Sequence, residues 1–137
     1  MYQSETKVRV RYAETDQMGY VYYGNYAMYY EVARVESLRK LGVTYKELEE
    51  NGVMMPVLEN HSRFLEPGRY DEELRIVTTI REMPGVRIRF EYQIYNEDNR
   101  LINEGHTLLA FVNMASGRPC RPPSHMQEVL APFFAKG

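Results

Sequence analysis

Near the start of the chain Val8, Val10 and Tyr12 alternate with Lys7, Arg9 and Arg11, the period-two pattern of a strand with one buried face. A short polar loop follows, and then residues 25–41 run without Pro or Gly. That stretch predicts the one long helix. Arg39 and Lys40 suit the negative end of its dipole, and Gly42 stands where a left-handed cap belongs. Its first two turns, Asn25-Tyr26-Ala27-Met28-Tyr29-Tyr30, are apolar on nearly every side, which predicts a helix wrapped by other elements and a sheltered N-terminus. Thr44-Tyr45-Lys46-Glu47 reads as a capping box opening a minor helix that Gly52 ends.

After Gly52 the periodicity is that of strands, over 53–65, 73–82, 86–96 and 101–114. The turn formers Pro67-Gly68, Pro84-Gly85 and Asp98-Asn99 separate them, and Ser116-Gly117 follows the last. Leu74, Ile76, Thr78 and Ile80 share one face of their strand; Val86, Ile88, Phe90 and Tyr92 share one face of the next. Links this short predict antiparallel neighbours in sequence order. A last short helix is predicted over 124–134, broken or ended at Pro132. The sum is an α+β chain, a single domain over residues 1–137, with an antiparallel five-stranded sheet against one long central helix.

Composition narrows the function classes. Lys plus Arg number 17 against 19 Asp plus Glu, a net charge of -2, which argues against a general nucleic-acid binder and leaves only local basic clusters. The opening residues show no basic leader with an apolar segment behind it, and no apolar run is long enough to span a bilayer, so a cytoplasmic protein is expected. The single Cys120 agrees with a reducing compartment and reads as an inert thiol. His61, His106 and His125 are scattered without metal-ligand spacing, so no metal is expected. G-x-S-x-G, Walker and dinucleotide fingerprints are absent from the sequence.

The loop between first strand and long helix carries the candidate chemistry. The first amides of a helix lack internal partners and sit at the positive end of its dipole, so those near Tyr23 and Gly24 can cradle a negative oxygen. Asp16 lies a few residues upstream. A carboxylate beside an oxyanion-binding helix start is an arrangement for acyl transfer, whereas an Asp that merely turns the loop is the plainer reading of the same residue.

The run Thr15-Asp16-Gln17-Met18-Gly19-Tyr20-Val21-Tyr22-Tyr23-Gly24-Asn25-Tyr26, with Tyr30-Glu31-x-x-Arg34 behind it, resembles the signature of hotdog-fold acyl-CoA thioesterases of the 4-hydroxybenzoyl-CoA thioesterase and YbgC type. The motif match covers residues 12–34 and fixes several residue types at once. The resemblance implies the hotdog fold, with the sheet wrapped around the helix, and hydrolysis of an acyl-CoA thioester. It makes Asp16 the nucleophile or general base and the Tyr23 amide the oxyanion donor; some relatives have His at that position, so no acid role follows for the Tyr23 side chain. It puts Gly24, Asn25 and Glu31 at the substrate, with a Glu31–Arg34 salt bridge as the competing reading for Glu31. Gly19 lets the loop turn. It implies no cofactor beyond the coenzyme A of the substrate, a homodimer or homotetramer with the site between subunits, and acyl carrier protein as a further candidate partner. Coenzyme A phosphates call for Arg or Lys; Arg87 with Arg89 on one strand face, and Arg118 with Arg121, are the candidates. A non-catalytic acyl-CoA or acyl-carrier-protein binding module is the alternative of a different class. A dehydratase ranks lower, because this helix carries no His.

Overall fold

The computed structural model describes residues 1–135. Strand β1 (Tyr2–Arg9) is followed by a 3-10 turn (Tyr12–Glu14), the long helix α1 (Asn25–Arg39) and the short α2 (Tyr45–Glu50). Then come β2 (Val53–Met54), β3 (Val57–Phe64), β4 (Glu73–Ile80), β5 (Arg87–Tyr95), β6 (Leu101–Ala110), β7 (Val112–Asn113) and α3 (Ser124–Leu130). The main sheet has five antiparallel strands in the order β1-β4-β5-β6-β3, and β2 with β7 forms a two-stranded flap.

The helix starts and stops for local reasons. Asn25 N donates to Tyr22 O at 2.9 Å and Tyr26 N to Tyr23 O at 3.3 Å, a tight entry turn, and Gly42 takes the left-handed conformation (φ 85°) just past the C-terminus. Tyr26, Tyr29, Tyr30, Ala33, Ser37 and Leu38 are buried, at spacings that make one face. That face lies on the sheet, where Ile76, Ile88, Phe90, Ile94 and Ile102 wait fully buried. Tyr30 is stacked on Tyr92 with centroids 4.1 Å apart and planes 4° off parallel, worth about 1 kcal/mol beyond the area it buries. The Tyr30 hydroxyl meets Ser62 Oγ at 2.8 Å and also donates to Asn103 Oδ1. Gly105 makes this possible, since a Cβ there would collide with the Tyr30 hydroxyl and the carbonyl of His61.

Four expectations are corrected. Tyr12 is exposed rather than in the core, because β1 ends at Arg9 and the chain turns into the 3-10 segment. The 53–65 run breaks at Pro56 into β2 and β3, and 101–114 divides into β6 and β7; Pro lacks the N–H a continuous ladder needs. β3 and β4 are not neighbours: the link over 65–72 carries the chain from one edge of the sheet to β4, beside β1, held by Val21 N–Gly68 O at 2.8 Å and Val10 N–Glu72 O at 2.9 Å. And α1 is not enclosed on every side, since Ala27, Met28 and Glu31 are exposed on the flank beside β3 and Val32 is exposed as well. None of the helices among the described residues is long and apolar enough to cross a membrane.

Candidate active site

The loop before α1 is built around a residue the sequence reading passed over. Glu14 is 6% exposed. Its Oε1 accepts from Arg11 N at 2.9 Å and from the Tyr29 hydroxyl at 2.8 Å, and its Oε2 accepts from Arg11 Nε at 2.8 Å. Its backbone oxygen takes Tyr22 N at 2.9 Å and Asn25 Nδ2 at 2.8 Å. Burial works to raise the carboxyl pKa, but the Arg11 amide, the Tyr29 phenol and the Arg11 guanidinium together hold it below its ordinary value. Burial and the Glu14 carboxylate push the Tyr29 phenol up. Glu14 thus clamps both ends of the Asp16 loop to the start of α1. Its signal in the sequence is slight: a Glu with an Arg three residues before it.

Asp16 sits in the next turn. Its N–H donates to Tyr20 O at 2.8 Å, Gly19 N donates to Asp16 O at 3.0 Å, and Gly19 adopts φ 76° to close the loop. Oδ1 accepts from Met18 N at 2.9 Å and Tyr20 N at 3.2 Å, so the turn-forming role is real. It occupies one oxygen only; Oδ2 has no partner among the described residues. The side chain borders an open, mostly apolar slot of about 370 Å³ shared with Val21, Tyr23, Tyr26, Phe64 and Leu65.

Tyr23 borders that slot and is 65% exposed, its ring 4.7 Å from the Tyr22 ring and 6.3 Å from the Phe64 ring. The amides of Tyr23 and Gly24 find no acceptor among the described residues, unlike those of Asn25 and Tyr26. Gly24 has a packing reason too, because a Cβ would stand 3.0 Å from the Tyr22 ring. Tyr22, Tyr23 and Gly24 are exposed in the single chain, so the shelter expected at the helix start is not supplied by this chain alone.

The other sequence-derived candidates fall elsewhere. Asn25 uses its amide to bind the Glu14 carbonyl. Glu31 lies on the exposed flank of α1 and makes no ion pair with Arg34 among the described residues; it borders a second pocket with Arg34, Met28, Val57, Asn60 and Thr107. Arg87 and Arg89 alternate with the buried Ile88 and Phe90 and so face outward, on the side of the sheet away from α1. There Arg89 shares a groove with His61 and His106, whose rings stack 5.3 Å apart. Burial, then Arg89, then His61 lower the His106 pKa. One chain therefore does not bring this arginine pair to the Asp16 slot. Arg118 and Arg121 are exposed in the loop before α3.

Known proteins are similar to this chain in sequence and fold. The thioesterase-like superfamily matches residues 10–130. The acyl-CoA thioester hydrolase YbgC of Escherichia coli is 35% identical over 126 residues, 92% of each chain. The acyl-CoA thioesterase YbgC of Haemophilus influenzae is 30% identical over 127 residues, 92% of this chain and 90% of its own. Among solved structures, DHNA-CoA thioesterase from Staphylococcus aureus superposes with a TM-score of 0.92 at 31% identity, covering 98% of this chain and 92% of that one. With that match extending from the end of β1 to the end of α3, the chain belongs to the thioesterase-like superfamily.

Proposed function

We propose that the chain hydrolyses acyl-CoA thioesters, with Asp16 delivering the hydrolytic step and the amides of Tyr23 and Gly24 holding the carbonyl oxygen. The observation that carries the reading is a coincidence of place: Tyr23, a helix-start residue whose amide has no acceptor among the described residues, borders the same slot as a carboxylate with an unpartnered oxygen, and the free Gly24 amide is the next along the chain. A thioester carbonyl seated there is polarised by the amides and gains stabilisation as its oxygen becomes negative. Either Asp16 Oδ2 attacks the carbonyl carbon, the C–S bond breaks to release the CoA thiol, and water hydrolyses the resulting Asp16 anhydride to the free acid and the restored carboxylate, or Asp16 takes a proton from a water that attacks, and the C–S bond breaks to release the thiol and the free acid directly. CoA enters as part of the substrate, and no metal or redox step is involved.

The working unit in this reading is a pair of chains. β3 is an edge strand with Val57 50% and Phe64 53% exposed on the face it shares with α1, and Met28 of α1 borders the same pocket as Val57. An unpaired apolar edge pairs readily with a copy of itself, and a second α1 flank laid there would cover Tyr23 and exclude water from the slot. Carrier-protein thioesters are the competing source of the same acyl chemistry.

The test is a free-thiol assay over aromatic and aliphatic acyl-CoAs with Asp16→Asn beside the parent. Hydrolysis by the parent and a loss of about 10³-fold in kcat in a folded mutant support the reading. Equal rates remove Asp16 from catalysis, and tight acyl-CoA binding without thiol release makes the chain a binding module. Single turnover in ¹⁸O water marks the nucleophilic role when an Asp16 oxygen enters the acid and label enters the Asp16 carboxylate, and trapping of an Asp16 anhydride with hydroxylamine marks it when water attacks the acyl carbon instead.

A further inference from the structure

Arg34 is 6% exposed, yet among the described residues no carboxylate lies within ion-pair distance of it. Its Nη1 makes one long hydrogen bond, 3.5 Å to the Tyr92 hydroxyl, and its Nε has no acceptor. The neighbouring Tyr45 hydroxyl is buried and unpartnered as well. Burial works against the guanidinium charge, while Tyr92 and Tyr45 hold its pKa above the ordinary value. The phenols themselves stay neutral, because burial pushes Tyr45 up to about 12 and raises Tyr92. A buried cation without an anion is among the most costly arrangements a fold can keep.

The guanidinium is not sealed in. Arg34 forms part of the wall of an open pocket of about 250 Å³ between α1 and β3, together with Met28, Glu31, Val57, Asn60 and Thr107. Thr107 Oγ1 donates to Asn60 Oδ1 at 2.9 Å, which leaves the Asn60 amide nitrogen as a further donor there. Glu31 is the one carboxylate at the pocket, and it is solvent-exposed. The pocket and the Asp16 slot occupy opposite ends of the inner face of β3, at Val57 and Asn60 and at Phe64. Antiparallel pairing of β3 with its copy about the middle of the strand therefore sets the partner's Asp16 slot beside this chain's Arg34.

We infer that Arg34 anchors a carboxylate at the far end of the acyl group, so that the favoured substrates are CoA thioesters of dicarboxylic acids. The inference rests on the thioesterase reading and on the pairing through β3. Arg34 acts on the end of the substrate remote from the reacting carbon and sets specificity; a guanidinium fork matches a carboxylate better than it matches any neutral acyl terminus.

Two matched pairs of substrates test it: 4-carboxybenzoyl-CoA against 4-carbamoylbenzoyl-CoA, and glutaryl-CoA against pentanoyl-CoA. The parent is expected to favour the acid of each pair by at least about tenfold in kcat/KM, and Arg34→Met to abolish that preference through KM with kcat changed less than about threefold. Equal or reversed preference in the parent overturns the inference without need of any mutant, as does a parallel loss on acid and neutral substrates in Arg34→Met. Should Arg34→Met fail to fold, Arg34→Lys keeps a charge but not the fork, and its preference should fall short of the parent's. If the parent cleaves no thioester at all, the hydrolase reading fails by itself. Calorimetric titration with glutarate and terephthalate then decides: binding lost in Arg34→Met sustains the anchor, and no binding to the parent removes it.

Discussion

The two edges of the sheet are finished differently. At β1 the outward side chains are charged and paired, Lys7 and Arg9 with Glu73 at 3.7 and 3.3 Å and Glu5 with Arg75 at 2.8 Å. Lys40 caps the Glu5 carbonyl, and Tyr2 is locked inside by its hydrogen bond to Ser37 O at 2.7 Å and its edge-on contact with Phe133. At β3 the residues that face α1 are Val57, Asn60, Ser62 and Phe64, and the apolar ones remain in solvent. The exposed ion pairs at β1 contribute little stability; their effect is to discourage further pairing. Both pockets proposed to hold the substrate open along the second edge, so the unfinished side is the one on which that proposal rests.

The sharpest way to break this contrast is at the joint between β3 and the interior. Gly105→Ala puts a methyl group into the His61 carbonyl and the Tyr30 hydroxyl, and should cost about 4 kcal/mol or leave no folded protein, read by thermal and urea unfolding. Next is Phe64→Glu on the open edge. If that edge carries a second copy, the change should weaken self-association at least about 100-fold by sedimentation and take the hydrolysis with it, while Lys7→Glu on the β1 edge should leave both unchanged.

A smaller effect belongs to the clamp. Glu14→Gln keeps the shape but loses charge at the Arg11 and Tyr29 contacts, an expected loss of about 2 kcal/mol at neutral pH. Because the folded pKa of Glu14 lies below its unfolded value, its contribution is complete above the unfolded pKa and disappears as pH falls through the folded one. Urea midpoints between neutral pH and pH 3 should show the parent's advantage over Glu14→Gln shrinking in acid. Smallest is Gly24→Ala: the Tyr22 ring must give way by a few tenths of an ångström, and kcat should drop about tenfold or less with the melting temperature nearly unchanged.

Features written in local chemistry were legible before any coordinates. Gly42 and Gly19 take the left-handed backbone their positions require, Thr44 Oγ1 accepts from Glu47 N at 3.2 Å, and the Asp16 turn runs straight into the helix start. Features set by distant partners were not. Tyr12 continues an alternation that the strand itself does not continue. Nothing in the spacing of Pro67-Gly68 says that the chain leaves the β3 edge there and reappears beside β1. Glu14 and Arg34 look like ordinary surface charges until Tyr29 and Tyr92, far along the chain, close over them. An apolar helix start implies shelter, yet the sequence does not tell whether the same chain or another copy provides it.

The link over 65–72 has a mechanical consequence. It leaves the end of β3, lends Gly68 O to Val21, and lays Arg69 over the Tyr20 ring at 4.9 Å before entering β4. Tyr20 and Val21 are the residues that close the turn holding the carboxylate. A tug on the outermost strand is thus handed, within a few covalent bonds and one stacked cation, to the Asp16 carboxylate, so in the proposed hydrolysis by paired chains the docking of a neighbour and the aim of the carboxylate would share a single lever.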